Sequence, residues 1–361
     1  MKAWHSLCLF LLGVLAPLFA QQASPRPNSG SSNPLITLDV VVTNKAGVPQ
    51  SGLQQQDFTL FDNKAPQKIT SFQAVDGSTT GAPPVEVILF MDTVNAGTQT
   101  VIDERSQITR YLQRNGGKLT NPTSIVVFSN TGLRNLGEPT LDGNALSTLL
   151  AGNDVIGLRT MHSTAAGARG ASERLVSSLR NLHSIAAFEA NKPGRKILIC
   201  ISPGWPASSA DMFSEIKDQL FSTLVLVSTA LQQARITLYS IDPEGAGGSN
   251  VRNRFSYESF LKGITAAKYI SPANMSLPVF VTHSGGRVLT TGNDIGAQID
   301  DCVLDTKAYY VLSFEGSPTE RPDEYHAIEL KVAKPGLIVR TSTGYYAQPE
   351  QRPEAPSEKK K

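Results

Sequence analysis

Cysteine, histidine and tryptophan are scarce in this chain: three, five and two among 361 residues. So few cysteines exclude a small scaffold stapled by disulfides. The histidines beyond the N-terminus are His162, His183, His283 and His326. None pair at metal-ligand spacing, and no His-Glu-x-x-His occurs, which argues against zinc. A formal net charge of +2, without a basic stripe interleaved with aromatics, argues against a nucleic-acid partner. There is no Gly-x-Ser-x-Gly nucleophile turn. Gly245-Ala246-Gly247-Gly248 lacks the Lys-Ser/Thr of a phosphate loop and reads as a flexible loop. Past the first twenty residues no apolar run is long enough to span a bilayer.

What is present starts at the N-terminus. Lys2, the apolar run from Leu7 to Leu15 and Leu18-Phe19-Ala20 read as a signal peptide over residues 1–20, cut ahead of Gln21. That implies export, to the periplasm or outside the cell, with no transmembrane segment after cleavage. Of the cysteines beyond it, Cys200 ends an apolar strand and Cys302 sits in a helix. Both read as small buried hydrophobes, with a disulfide as the alternative that export permits. Residues 21–33 are Gln, Ser, Pro, Asn and Gly, a flexible linker, and residues 348–361 read as a disordered tail.

Residues 34–80 pattern as strands, near 36–42, 58–61 and 67–72. Residues 84–307 alternate strand and helix, which implies β-α-β crossovers and a mainly parallel sheet flanked by helices. Its strands are expected at 85–92, 124–129, 196–202, 236–242 and 287–290. Its helices are expected at 98–114, 144–151, 164–189, 212–234 and 294–306. Residues 308–347 return to strands. Neither β segment is large enough to fold alone, so the two are expected to pair as one β-sandwich-like domain with the α/β domain inserted in it.

The strand Val85-Glu86-Val87-Ile88-Leu89-Phe90-Met91-Asp92 is apolar on both faces, as a central parallel strand must be, and ends in a carboxylate. Ligands of such sheets sit at the carboxyl ends of strands. Together with Gly47-Val48-Pro49, Asp57-Phe58 and Gln67-Lys68-Ile69 before it, and Tyr309-Tyr310-Val311-Leu312, Pro335-Gly336-Leu337 and Gly344-Tyr345-Tyr346 after it, this resembles a von Willebrand factor A-type (VWA) domain, closest to a VWA-related acidobacterial family. The resemblance implies a Rossmann-like fold and a divalent metal held by Asp-x-Ser-x-Ser, a loop threonine and a later aspartate. Asp92 matches the first position and Thr164 the threonine, but Val94 and Ala96 stand where the serines belong. Ser202-Pro203-Gly204 replaces the Ser-Asp-Gly turn. Octahedral Mg²⁺ needs six hard oxygens, and three of the five side-chain ligands are missing. No cofactor is therefore expected at these residual positions (Asp92, Thr164, Ser202), with Mg²⁺ the alternative. Asp92 then reads as a turn-forming or helix-capping carboxylate.

Ser202 reads as a solvent-facing turn serine, and Asp301 and Asp305, four apart on one helix face, as solvated surface carboxylates. Loops at the carboxyl end of the sheet carry Met161, Trp205, Pro206, Arg252, Arg254, Phe255 and Tyr257. Aromatics and arginine dominate interface hot spots, so Trp205, Arg252, Arg254, Phe255 and Tyr257 form a candidate rim for a protein partner. The functional expectation is an exported, non-enzymatic VWA-like binding or adhesion module with a degenerate metal site. The alternatives are an exported α/β hydrolase-like enzyme and a structural envelope component.

Overall fold

A computed structural model describes residues 34–76, 81, 84–152, 167–205, 217–245, 257–290, 292–317, 319 and 321–347. The expected signal peptide, linker and tail lie outside them. The described residues begin with four strands: β1 (Leu35–Thr43), β2 (Phe58–Asp62), β3 (Ala65–Gln67) and β4 (Ser71–Asp76). The third expected strand thus divides in two. The α/β part follows: β5 (Glu86–Asp92), α1 (Thr98–Gln113), β6 (Lys118–Ser129), β7 (Gly132–Asn135), β8 (Thr140–Asp142), α2 (Gly143–Ala151), α3 (Gly167–Glu189) and β9 (Lys196–Ile201). It continues with α4 (Lys217–Gln233), β10 (Ile236–Ile241), α5 (Leu277–His283), β11 (Val288–Leu289) and α6 (Ile295–Val303). Four strands close the described residues: β12 (Ala308–Glu315), β13 (Glu324–Val332), β14 (Ile338–Arg340) and β15 (Gly344–Ala347).

The central sheet has the order β11-β10-β9-β5-β6-β7, with β8 also on β6. Strands β11, β10, β9, β5 and β6 run parallel, and β7 and β8 are antiparallel additions at the edge. Side-chain alternation on β5 explains why this segment sits in the middle. Ile88 and Phe90 join a core on one face with Leu175, Leu179 and Leu182 of α3 and Leu224 and Leu231 of α4. Val87, Leu89 and Met91 join the core on the other face with Val101, Ile108 and Leu112 of α1, Leu146 of α2 and Ile299 of α6. Each such side chain fully removed from water contributes about 1.5–3 kcal/mol. Surface ion pairs contribute about 0–1 kcal/mol each, so the two apolar faces hold this layer together. Asp142 and Asp294 cap α2 and α6 by accepting hydrogen bonds from first-turn amides. Cys200 lies in one core and Cys302 in the other, both as free thiols.

The end segments interleave. In one four-stranded sheet, β14-β1-β12-β4, strands from both ends alternate, and a second has the order β15-β13-β2-β3. Leu38, Val40, Phe58 and Leu60 from the first segment share a core with Tyr310, Leu312, Phe314 and Tyr345 from the last. Ion pairs tie these strands to the α/β part. Arg235, just ahead of β10, grips Asp39 of β1 through two nitrogens. Asp305, expected as a surface carboxylate, is fully buried: its Oδ2 accepts from Arg340 Nη2 and from the Tyr239 hydroxyl, both at 2.7 Å. The cause is that the chain tightens to a 3-10 turn at Leu304–Thr306, which turns Asp305 inward while Asp301 stays exposed.

Candidate functional site

The carboxyl end of β5 forms a closed knot of polar groups. Asp92 is fully buried. Its Oδ1 accepts from the backbone amides of Val94 (3.1 Å) and Asn95 (3.0 Å), closing a tight turn. Its Oδ2 accepts from Asn95 Nδ2 at 2.8 Å and from Ser202 Oγ at 2.7 Å. Ser202 Oγ in turn accepts from the Gly204 amide, across a turn in which Gly204 takes a φ of 100°. Thr93 hangs the loop on β6, both its amide and its hydroxyl donating to the Phe128 carbonyl. Asn95 also donates to Ser178 of α3. Ser202 is therefore not a solvent-facing turn serine. It is 3% exposed, and its hydroxyl meets a carboxylate rather than an imidazole base. Thr93 and Asn95 both turn inward, which alternation along a strand does not reveal once the chain leaves the strand.

Val94 and Ala96, where the resemblance read from the sequence would place serines, serve the cores instead. Val94 packs into one face's core and Ala96 into the other. Among the described residues no three histidine, cysteine or acidic side chains cluster as a metal site. Each Asp92 oxygen already takes two internal donors. A cation at Asp92 would have to displace these hydrogen bonds, and Val94 and Ala96 offer it no side-chain oxygen. Thr164 lies outside the described residues.

Glu104 of α1 is the residue that the sequence reading passed over. It is fully buried on the same stripe as Val101 and Ile108, and neither of its carboxyl oxygens has a hydrogen-bond partner among the described residues. Burial, and then the charge of Asp92, push its pKa well above the ordinary 4.5. Burial also raises Asp92, against the four hydrogen bonds that lower it. A carboxyl that stays protonated in the fold but ionises in the unfolded chain makes stability fall as pH rises above about 4.5. Glu104→Gln removes that proton linkage. The variant is expected to gain on wild type by about 1.4 kcal/mol per pH unit upward from there until the folded-state pKa is passed. Urea denaturation at several pH values checks it, and parallel pH profiles for the two proteins would refute it.

Of the rim residues, Arg252, Arg254 and Phe255 lie outside the described residues, as do Met161 and Pro206. Trp205 is only partly exposed, its ring 5.9 Å from that of Phe280 and its buried indole nitrogen without a hydrogen-bond partner among the described residues. Tyr257 is partly buried at the start of a 3-10 turn, Tyr257–Phe260. A second polar knot lies in the end-segment strands, where the sequence showed only a lone histidine. His326 Nδ1 sits 2.9 Å from Asp62 Oδ1, and Asp62 Oδ2 accepts from the Tyr345 hydroxyl (2.8 Å) and from Ser317 Oγ (2.9 Å). Asp62, His326 and Tyr345 are each at most 3% exposed.

No family model matches the chain, and no curated protein matches it. Solved structures with partial similarity to it include the following two. One is the human COPII-coat protein Sec24c, at 9% identity and a TM-score of 0.30, over 74% of this chain and 44% of that one. The other is the SpRpn10 VWA domain, at 11% identity and a TM-score of 0.23, over 51% of this chain and all of that one. This chain thus spans less than half of Sec24c.

Proposed function

We propose that this protein is an exported, VWA-like protein-interaction module that meets its partner at the carboxyl-end rim of the central sheet without a metal ion. In this reading the two antiparallel sheets form a sandwich-like β domain, and the α/β domain is inserted in it as the recognition unit. The observation that carries the reading is the state of Asp92: four internal donors hold its carboxylate, while Val94 and Ala96 fill the cores. The residue that heads a metal site in the resembling family here staples the loops together, so the edge stays shaped without an ion. A partner's acidic group then needs another positive anchor, and Arg252 and Arg254 supply it through bidentate pairing. Trp205 adds apolar contact area beside them.

The test is affinity capture from an envelope extract of the source organism, using wild type and the triple variant Trp205→Ala/Arg252→Ala/Arg254→Ala. Capture should be equal in EDTA and in Mg²⁺, and lost in the variant. Truncating a central anchor should cost on the order of 2 kcal/mol or more in affinity. An unchanged partner profile at equal folding stability would remove this rim as the binding surface. Capture that needs Mg²⁺ would remove the metal-free reading.

A further inference from the structure

The central sheet ends at β11, which pairs with β10 on one side only among the described residues. The amides of Ser240 and Asp242 donate to the carbonyls of Arg287 and Leu289. Alternation along the ladder then turns the N–H and C=O of Val288, the residue between them, away from β10. Neither group has a hydrogen-bond partner among the described residues. An unpaired edge of this kind is a template for another strand.

Beside this edge lies a groove of about 450 Å³, with β11 as one wall and α6 as the other. A water takes about 30 Å³, so a long side chain fits. From α6 the groove is lined by Asp294, Ala297, Gln298 and Asp301, the i, i+3, i+4, i+7 spacing of one helix face. Gln298 is only 6% exposed. Its Nε2 donates to the Gly292 carbonyl at 2.9 Å, which settles which end of the amide is the oxygen. That oxygen, Oε1, has no hydrogen-bond partner among the described residues. Asp301 is exposed, and its carboxylate meets no cation among them. The other charged groups of the lining are committed. Arg287 donates through Nη2 to the Asp301 carbonyl, and its Nε lies 3.7 Å from the buried carboxylate of Asp305. Asp294 caps α6 and lies 3.5 Å from Arg114. Two acceptors a turn apart therefore stay open on this helix face, one of them charged.

A guanidinium matches that pair. Its donors spread over more than one edge of a plane, its charge answers Asp301, and it is more weakly hydrated than an ammonium, so it gives up water more readily beside the buried Gln298. The open N–H and C=O of Val288 match a peptide main chain in turn. We propose that β11 and α6 form a docking groove for an extended segment of a partner polypeptide, which pairs through its main chain with Val288 and lays an arginine against Gln298 and Asp301. Main-chain pairing supplies affinity in such strand addition, and the side-chain pocket supplies the choice of sequence. The groove shares no lining residue with the Asp92 knot or the rim, so it stands or falls separately from them.

The probe is the blocked peptide acetyl-Thr-Val-Arg-Val-Thr-amide, added to the full chain and followed by amide NMR. Saturable binding with a Kd below about 1 mM is expected. Hydrogen exchange of the Val288 amide should slow as the peptide saturates. Citrulline in place of the arginine keeps the shape and removes the charge, and should weaken binding by about 10-fold or more. Asp301→Asn, at an exposed position, should do the same at an unchanged melting temperature. Agmatine, a guanidinium without a peptide main chain, should bind at least about 10-fold more weakly than the peptide. Binding that never saturates would overturn the assignment. So would a Val288 amide that exchanges as fast with the peptide as without it, an affinity that neither citrulline nor Asp301→Asn changes, or agmatine binding as tightly as the peptide.

Discussion

Asp62→Ala is expected to destabilise the fold by about 3–5 kcal/mol, the usual cost of removing one partner from a buried charged cluster. Asp62 ends β2, in the first segment of the chain, and its oxygens take the Tyr345 hydroxyl, the Ser317 hydroxyl and His326 Nδ1 from the last segment. Alanine leaves all three without their acceptor, Tyr345 and His326 in the buried interior and Ser317 at a part-buried position. The imidazole is the worst placed, because its Nε2 has no partner among the described residues. Burial and the bond to Asp62 hold the Tyr345 hydroxyl far up the pKa scale, so it remains a donor throughout the accessible pH range. Asp62→Asn keeps one accepting oxygen and should cost less than alanine. Guanidinium denaturation of Asp62→Ala, His326→Ala and the double variant should show coupling of about 1–3 kcal/mol. A cost below about 1 kcal/mol for Asp62→Ala, within the range of an exposed ion pair, would show that the cluster does not bind the two segments.

The second large effect is expected at Asp92. Alanine there leaves the Val94 and Asn95 amides, the Asn95 side-chain amide and the Ser202 hydroxyl without their acceptor. Each buried donor left unsatisfied costs about 1–3 kcal/mol, and some relaxation is open to the loop. A loss of about 3 kcal/mol or more is expected on unfolding in urea. Ser202→Ala removes one donor from Oδ2 and should cost about 1 kcal/mol. If Asp92→Ala were as stable as wild type, the carboxylate would not be the staple of this edge.

How much of this was legible in the sequence depends on the range of the interaction. The doubly apolar run at 85–92 and the alternation after it are local patterns, and they sufficed to place β5 at the centre of a parallel sheet. The 277–283 helix and the β7 and β8 strands went unread because each is short and carries too few residues for a period to show. Asp305 misled because a helical wheel assumes that the helix continues, whereas a tighter turn begins at Leu304. Glu104 could have been found: it shares a helical face with Val101 and Ile108, and an acid at a core position is a signal in itself. The pairing of His326 with Asp62 could not, since 264 residues separate them and neither has a local motif.

The proposal that the β5 edge keeps its shape without a metal ion is tested most directly by a Mg²⁺ titration read by thermal unfolding. A site with a Kd of about 0.1 mM would add about 2.7 kcal/mol of stability in 10 mM Mg²⁺. The account predicts that wild type shows no such gain and that Asp92→Asn responds to Mg²⁺ as wild type does. A clear rise in wild type that Asp92→Asn abolishes would contradict it.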